Sequence, residues 1–290
     1  MRPLAGSERD DGCRVQAKLV RWRAEMKARG QPTTAPTPAS APALMPTWPE
    51  SCRVVPNCFL RSALFAAIGR GGGGYLKEKE IFAQSGIRIF YTGWQLDQAA
   101  LTVYDTVLHV MRSQKIGVDV RVTGYQLLKA LGRQDTGGNR KVLHGVLMAL
   151  KATAVDVHTG RYSYAGSLLD EVYKDEDTRE YVIRLNPKLL PLFAADQYTR
   201  IDEAVLRRLD GQPLALWLFR YYSSHRKPYP IKVETLLGLS GSRYARLVDF
   251  RIDLKRSLDL VHAACRAEAR RFDWSINDGL VNVQRGDGAE

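Results

Sequence analysis

The chain has 290 residues and a formal net charge of +12, from 43 lysines and arginines against 31 aspartates and glutamates. That length suits about two domains, and a hydrophobic fraction of 45% excludes a fully disordered protein. The sequence has no long apolar run and no apolar N-terminal core, so we expect neither a transmembrane helix nor a Sec-type signal peptide. Four cysteines do not make a disulfide framework. We therefore expect a soluble, cytoplasmic protein whose basic charge suits a polyanionic partner.

The basic charge is spread along the chain. The net charge is +3 over residues 1–50, +5 over residues 51–199 and +4 over residues 200–290. This distribution excludes a single polybasic tail as the source of the charge, and it favours folded modules that each carry a basic face. A mildly basic, solvated surface without a polyanionic partner is the alternative.

The N-terminal part is predicted to lie outside the folded domains. Residues 13–29 contain good helix formers and end at Gly30, which predicts a helix. Residues 31–49 contain six prolines, which predict an extended linker that packs against no core. We assign residues 1–55 to this flexible segment. A second break at Gly71–Gly74 lacks the lysine of a phosphate-binding loop.

The hydrophobic periodicity from residue 80 onwards predicts a first winged helix. The predicted elements are a strand at Ile87–Thr92, a helix at Asp97–Met111, a strand at Val118–Val122, a helix at Tyr125–Leu131 capped by Thr123, a helix from Asn139 to about Thr153, and a small antiparallel sheet over residues 154–185. The order helix, strand, helix, turn, helix, hairpin is typical of a winged helix-turn-helix. We assign residues 56–199 to this domain.

The same order recurs in residues 200–290. The predicted elements are a helix at Ala204–His225, a short extended piece at Tyr229–Lys232, a helix at Val233–Leu239, a long helix from Ser242 to about Ala269, and a hairpin of Trp274–Ile276 with Leu280–Val283. Asp-Gly between two apolar runs is a strong hairpin signal. The sequence thus predicts an α+β protein with two tandem winged helix-turn-helix domains and a flexible N-terminal tail.

No catalytic or metal-binding constellation is found in the sequence. The five histidines are scattered, and Cys52 and Cys58 have no second pair of ligands near them. A rolling-circle nickase would need a second histidine where His109-Val110-Met111 has methionine. We expect neither an enzyme nor a bound metal or cofactor.

The starts of the two predicted recognition helices carry the candidate DNA-binding residues. Recognition helices contact base edges and phosphates with their N-terminal residues. The candidates in the first domain are Asn139, Arg140, Lys141 and His144, for which an ordinary exposed helix start is the alternative. The candidates in the second domain are Ser242 as the N-cap, Arg243, Tyr244, Arg246, Arg251 and Lys255, with Arg270 and Arg271 at the start of the wing.

The apolar stripe of the long helix, from Leu247 to Cys265, passes close to two of these candidates. At helical spacing, Arg243 and Arg251 lie near the stripe, while Arg246 and Lys255 lie to either side of it. The pattern therefore predicts no single flat basic face on this helix.

Several segments resemble the TrfA-type initiator proteins of broad-host-range plasmids. They are R-S-A-L-F at Arg61–Phe65, I-F-Y-T-G at Ile89–Gly93, L-F-A-A-D-Q-Y-T at Leu192–Thr199, Y-Y-S-S-H-R-K-P-Y-P-I-K-V-E-T at Tyr221–Thr235 and W-S-I-N-D-G-L-V at Trp274–Val281. The resemblance extends from about residue 56 to the C-terminus.

The resemblance implies a non-enzymatic initiator with two winged helices that binds repeated sites, iterons, in double-stranded origin DNA. It also implies opening of adjacent A+T-rich DNA, recruitment of the host initiator and replicative helicase, and exchange between dimers and DNA-binding monomers. The first winged helix would dimerise. Residues 242–255 would read the major groove, with Asn139–Lys141 as a second contact. Longer relatives carry a Q-L-x-L-F segment that resembles a clamp-binding peptide, and residues 43–49 lack it.

Other functions fit the same predicted architecture. A winged-helix transcriptional regulator would bind an operator, and a protein-interaction module would use the winged helices to bind partners other than DNA. The pattern does not separate these hypotheses, and only the resemblance favours replication.

Overall fold

The computed structural model describes residues 44–286, apart from residues 70, 161, 176 and 179. The predicted helix over residues 13–29 and the first part of the proline-rich stretch lie outside the described residues. Among the described helices, none is long and apolar enough to cross a membrane.

The first part of the described chain contains one winged helix and an additional sheet. Its elements are β1 (Cys52–Pro56), α1 (Asn57–Leu60), β2 (Phe65–Ala66), β3 (Tyr75–Ile81), β4 (Ile87–Trp94), β5 (Leu96–Asp97), α2 (Gln98–Met111), β6 (Val120–Thr123), α3 (Gly124–Ala130), α4 (Gly137–Lys151), β7 (Ala154–Thr159), β8 (Tyr162–Gly166), β9 (Glu171–Lys174), β10 (Glu180–Arg184) and a 3₁₀ helix (Pro187–Phe193). The predicted order of helices and strands is present in α2, β6, α3 and α4.

Short polar side chains set the starts of these helices. Asp97 caps α2 by accepting a hydrogen bond from the Ala100 amide at 2.8 Å. Thr123 and Gln126 form a capping box at α3, which agrees with the predicted cap. Thr136 accepts from the Asn139 amide at 3.2 Å, so α4 begins two residues before the predicted start. The Thr136 cap fixes where α4 begins relative to the turn before it.

The single small sheet predicted over residues 154–185 is wrong, because its strands belong to two sheets. β7 and β8 join β3 and β4 in a four-stranded sheet of order β3-β4-β7-β8. In this sheet the buried side chains of Ile89 and Tyr91 on β4 pair across the strands with Val157 and Val155 on β7, which are also buried. β9 and β10 instead pair with β6 and form the wing of the first domain.

The second winged helix follows from β11 onwards. Its elements are β11 (Tyr198–Asp202), α5 (Glu203–Arg208), α6 (Pro213–Ser223), β12 (Ile231–Lys232), α7 (Val233–Ser240), α8 (Leu247–Ala267), β13 (Arg271–Asn277) and β14 (Leu280–Gly286). β14 lies between β12 and β13. The predicted hairpin is confirmed, since Asp278 and Gly279 both have positive φ, as a tight turn of this type requires. The α+β class with tandem winged helices is confirmed.

The predicted single helix over Ala204–His225 is wrong. It is two helices, α5 and α6, separated at residues 209–212. Gly211 has a φ of 78°, and Pro213 stands in the first turn of α6, where its missing amide costs no hydrogen bond. The break lets α6 pack against α8 while α5 continues from β11.

The end of the proline-rich stretch is not a free linker, contrary to the expectation that it packs against no core. Met45 and Trp48 are buried. Trp48 donates from Nε1 to Nδ1 of His109 on α2 at 3.1 Å, and Nε2 of His109 lies 2.8 Å from Oε2 of Glu50. Burial lowers the pKa of His109. β1 then pairs with β11, so the predicted boundaries at residues 55/56 and 199/200 fall inside one two-stranded sheet.

A buried ion pair joins the two winged helices. Arg220 on α6 donates from Nη2 to Oδ2 of Asp105 on α2 at 2.7 Å, and both side chains are 1% exposed. Gln98 and Thr102 accept further hydrogen bonds from the same guanidinium. Burial raises the pKa of Asp105 to about 6, although Arg220 opposes this rise. The ion pair makes each winged helix depend on the other for a buried charge.

Candidate DNA-binding surface

The predicted recognition helix of the second winged helix starts later than the sequence suggests. α8 begins at Leu247, so the predicted start at Ser242 and the role of Ser242 as its N-cap are wrong. Ser242 donates to the carbonyl oxygen of Ala67 at 3.3 Å, which holds the loop against the first domain. Asp249 in the first turn of α8 binds Arg246 through two hydrogen bonds, and an acid there is stabilised by the helix dipole.

One side of α8 faces the core and the other faces solvent. Phe250, Leu254 and Leu258 are fully buried. Arg251 and Lys255 are exposed, and within the described residues neither has a hydrogen-bonding or ion-pair partner. Ser257 is buried as well, on the side of the helix away from Arg251. The buried side of α8 therefore lies farther from Arg251 than the apolar stripe alone suggests. These two cations therefore stand free on the outer side of the first half of α8, where a polyanion can reach them.

The tip of the wing lies beside this half of the helix. A Cβ built on Gly279 would lie 3.8 Å from Nη2 of Arg251. Gly279 also accepts a backbone hydrogen bond from Val233 at 3.0 Å, which ties the turn to the start of α7. The exposed side of the first half of α8, with Arg251 and Lys255, and the wing tip at Gly279 thus form one continuous surface, which we call the α8 face.

Three further candidates before α8 are engaged within the chain. Arg243 donates from Nη1 to the carbonyl oxygen of Gly72 and from Nη2 to Oε1 of Gln95, each at 2.6 Å. Tyr244 donates to Asp253 at 2.5 Å; burial, with this carboxylate, raises the pKa of Tyr244 to about 12. The carboxylate of Asp249 raises the pKa of Arg246.

The two arginines at the start of the wing also have partners. Arg270 binds Asp202, the N-cap of α5, with Nε 2.7 Å from Oδ2. Arg271 donates to Asp273 at 2.7 Å and to Gln284 at 2.9 Å, across the hairpin. Both lie at the end of the hairpin opposite its turn, so the structure does not bring them together with Arg251 and Lys255.

In the first domain the four candidates lie in the first two turns of α4. Asn139 donates to the carbonyl oxygen of Gln134 at 2.8 Å. Arg140 binds both carboxylate oxygens of Asp135, which raises the pKa of Arg140. His144 stacks on Tyr181 of the wing. Lys141 is exposed and has no partner among the described residues.

Sequence reasoning missed two residues of the α8 face. Val248 and Ile252 are 67% and 66% exposed. They lie one helical turn apart, on the same side as Arg251 and Lys255. The signal was present in the sequence, since neither residue belongs to the apolar stripe of the long helix.

Among the described residues, no group of three or more histidine, cysteine, aspartate or glutamate side chains is placed to hold a metal ion. The candidate surface is therefore made of cations and apolar side chains on a helix and a wing.

Comparison with known proteins shows the family of this chain. Residues 41–285 match the protein family described as TrfA protein. The chain belongs to the TrfA family. A curated relative, the plasmid replication initiator protein TrfA of Escherichia coli, is 31% identical over 250 residues. This alignment covers 82% of the chain and 63% of the relative, so the chain spans less than two thirds of that protein.

Two solved structures resemble this TrfA-family chain. Domains 2 and 3 of RctB superpose with a TM-score of 0.52 at 13% identity, covering 79% of this chain and 96% of that one. The Pi initiator protein, crystallised in complex with iteron DNA, gives a TM-score of 0.47 at 10% identity, covering 64% of this chain and 91% of that one. The likeness to RctB concerns the fold alone.

The longest TrfA-type segment, Tyr221–Thr235, lies at the junction of the two winged helices. Ser224 accepts a hydrogen bond from Nε of Arg61 at 3.0 Å, and Arg61 itself belongs to another TrfA-type segment. Nε2 of His225 lies 3.1 Å from Oε1 of Gln84, in the turn between β3 and β4. This family segment therefore connects α6 to the first domain.

Proposed function

We propose that the chain is a plasmid replication initiator that binds repeated sites in double-stranded origin DNA through the α8 face. The observation that carries the proposal is the exposed first half of α8, where Arg251 and Lys255 have no partner among the described residues and lie beside the wing tip. Membership of the TrfA family and the name of the curated relative support replication over transcriptional regulation.

The α8 face has the parts that a winged helix uses on a duplex. The major groove, about 12 Å wide, admits one α-helix. With α8 in the groove, Arg251 and Lys255 reach base edges or the phosphates that line it. The wing tip, tied to α7, follows the adjacent backbone. The acids nearest to the helix start, Asp249 and Asp253, are held by Arg246 and Tyr244, so they repel phosphates less.

The first winged helix supplies a second, weaker contact in this proposal. Lys141 is its free cation on α4, while Arg140 would have to give up Asp135 to reach a phosphate. The ion pair of Arg220 with Asp105 couples the two winged helices, so both engage one DNA molecule together.

The remaining activities follow from the family resemblance. The bound chain promotes opening of adjacent A+T-rich DNA, recruits the host initiator and replicative helicase, and exchanges between dimer and DNA-binding monomer. It acts in the cytoplasm, where the plasmid is, and the proposal assigns it no chemical reaction of its own.

The proposal is tested by DNA binding of the full chain at several salt concentrations. Each phosphate neutralised contributes about 0.9 to the slope of log affinity against log salt. We expect Lys255→Ala to lower the magnitude of this slope by about 0.9, the contribution of one phosphate. We expect Arg251→Ala to weaken specific binding by about 1–3 kcal/mol. Arg266→Ala is the matched control, because it removes an exposed cation from the last turn of the same helix.

A flat salt response, or equal losses in all three variants, would contradict DNA binding through the α8 face. The protein-interaction hypothesis predicts the flat response.

A further inference from the structure

The α8 face carries an apolar pair that phosphate binding does not explain. Val248 and Ile252 are β-branched and about two-thirds exposed, and they are neighbours on the helix surface. β-branched residues are weaker helix formers than alanine or lysine, so neither helix propensity nor core packing accounts for them. An exposed apolar pair within a cationic surface points to a ligand with both charge and apolar groups.

The surroundings of the pair restrict the ligand. Arg251 lies between the two residues in sequence, and Lys255 lies one turn beyond Arg251 on the same side of α8. Two of the carboxylates near the pair are occupied, because Asp249 binds Arg246 and Asp253 accepts from Tyr244. Asp259, one turn after Lys255, and Asp278, in the wing turn, are exposed. A negatively charged partner therefore reaches the pair without facing a free carboxylate from Asp249 or Asp253.

In the major groove, the exposed apolar group on a base edge is the C5-methyl of thymine. We propose that Val248 and Ile252 contact thymine methyl groups in the major groove and so make α8 selective for thymine at defined positions. This inference rests on the proposed function, since it requires α8 to enter the groove. It assigns thymine reading to the apolar pair, and backbone or guanine contacts to Arg251 and Lys255.

The test uses the full chain and the DNA repeat that it protects in footprinting. Each thymine of the repeat is replaced singly by deoxyuridine, which removes the methyl group and leaves the base pairing intact. We expect at least one replacement to weaken binding about fourfold, which corresponds to the burial of one methyl group.

The variants Val248→Ala and Ile252→Ala identify the reading side chain. Alanine keeps the helix, so folding is preserved. At the thymine that the replaced side chain contacts, the alanine variant should bind the thymine and deoxyuridine forms of the repeat with equal affinity. The wild type should still bind the thymine form more tightly. Leu44→Ala is the control, since it truncates a similarly exposed apolar side chain (61%) outside α8 and should keep the wild-type ratio.

The inference is overturned if the repeat is bound but every deoxyuridine replacement is neutral, or if the protected site has no thymine. It is also overturned if both alanine variants keep the wild-type ratio. A change in sedimentation of the alanine variants, with that ratio unchanged, would assign the pair to contact with a second copy of the chain. Failure to bind any repeat would instead contradict the proposed function.

Discussion

Individual arginines in this chain are distinguished by their partners, and those partners are often far away in sequence. Arg243 is held by Gly72 and Gln95, more than 140 residues away. The sequence identifies the cations near a recognition helix, but it does not show which of them are occupied. Of the sequence candidates on α8, Arg251 and Lys255 both have no hydrogen-bonding or ion-pair partner among the described residues.

The buried cation Arg220 gives a pH-dependent prediction. Replacing it with methionine leaves the Asp105 carboxylate buried without its cation, which should cost about 3–5 kcal/mol of unfolding free energy near neutral pH. Burial already raises the pKa of Asp105 to about 6, and losing Arg220 raises that pKa further. The folded variant then binds a proton that the unfolded chain does not, so part of the lost stability returns as pH falls through this raised pKa.

Urea unfolding of Arg220→Met at about pH 7.5 and about pH 5 measures this effect. Arg208→Met is the control, because Arg208 and Glu268 form an ion pair with Arg208 half exposed. Its loss should be under about 1 kcal/mol. An equal loss for Arg220→Met at both pH values would show that Asp105 does not take up the proton.

At the scale of elements, periodicity predicted most helices and strands but not their neighbours. α2, α3, α7 and the β13–β14 hairpin lie where apolar spacing and turn residues placed them. The pairing of β7 with β4 was missed. Alternation shows that one face of a strand is buried, but it does not show which strand is its hydrogen-bonded neighbour. The late start of α8 was missed because contacts with the first domain hold residues 242 and 243.

Two glycines give opposite predictions for the same substitution. Gly279 has a φ of 76° in the wing turn, so Gly279→Ala should lower the unfolding free energy by about 1 kcal/mol. Gly145 lies inside α4, and a Cβ there meets no atom within 4 Å. Gly145→Ala should therefore raise stability by about 0.5–1 kcal/mol. Chemical denaturation measures both, and shifts of the same sign would contradict the assigned turn.

At the scale of the whole molecule, the segment before the first winged helix is part of the fold. Trp48 was assigned to a linker because prolines flank it, and proline content does not reveal a buried indole. Trp48→Ala should cost about 3 kcal/mol, through lost packing and the lost hydrogen bond to His109. Trp94, which is 64% exposed, is the matched control and should cost less than about 1 kcal/mol. Thermal and urea unfolding distinguish the two, and equal effects would contradict the docking of residues 44–50.

Each winged helix also depends on contacts with the other part of the chain for its stability. An isolated fragment of residues 200–290 would lose β1, the partner of β11, and would leave Arg220 without Asp105. DNA-binding experiments therefore need the full chain, and effects of α8 variants should be measured in it.

The most direct test of the account is footprinting of the full chain on its cognate origin. The account predicts protection of evenly spaced direct repeats next to an A+T-rich block. It also predicts that the combined variant Arg251→Ala, Lys255→Ala loses this protection while Arg266→Ala retains it. A single protected palindrome at the promoter of its own gene, or protection that survives the combined variant, would contradict an initiator that reads its repeats with α8.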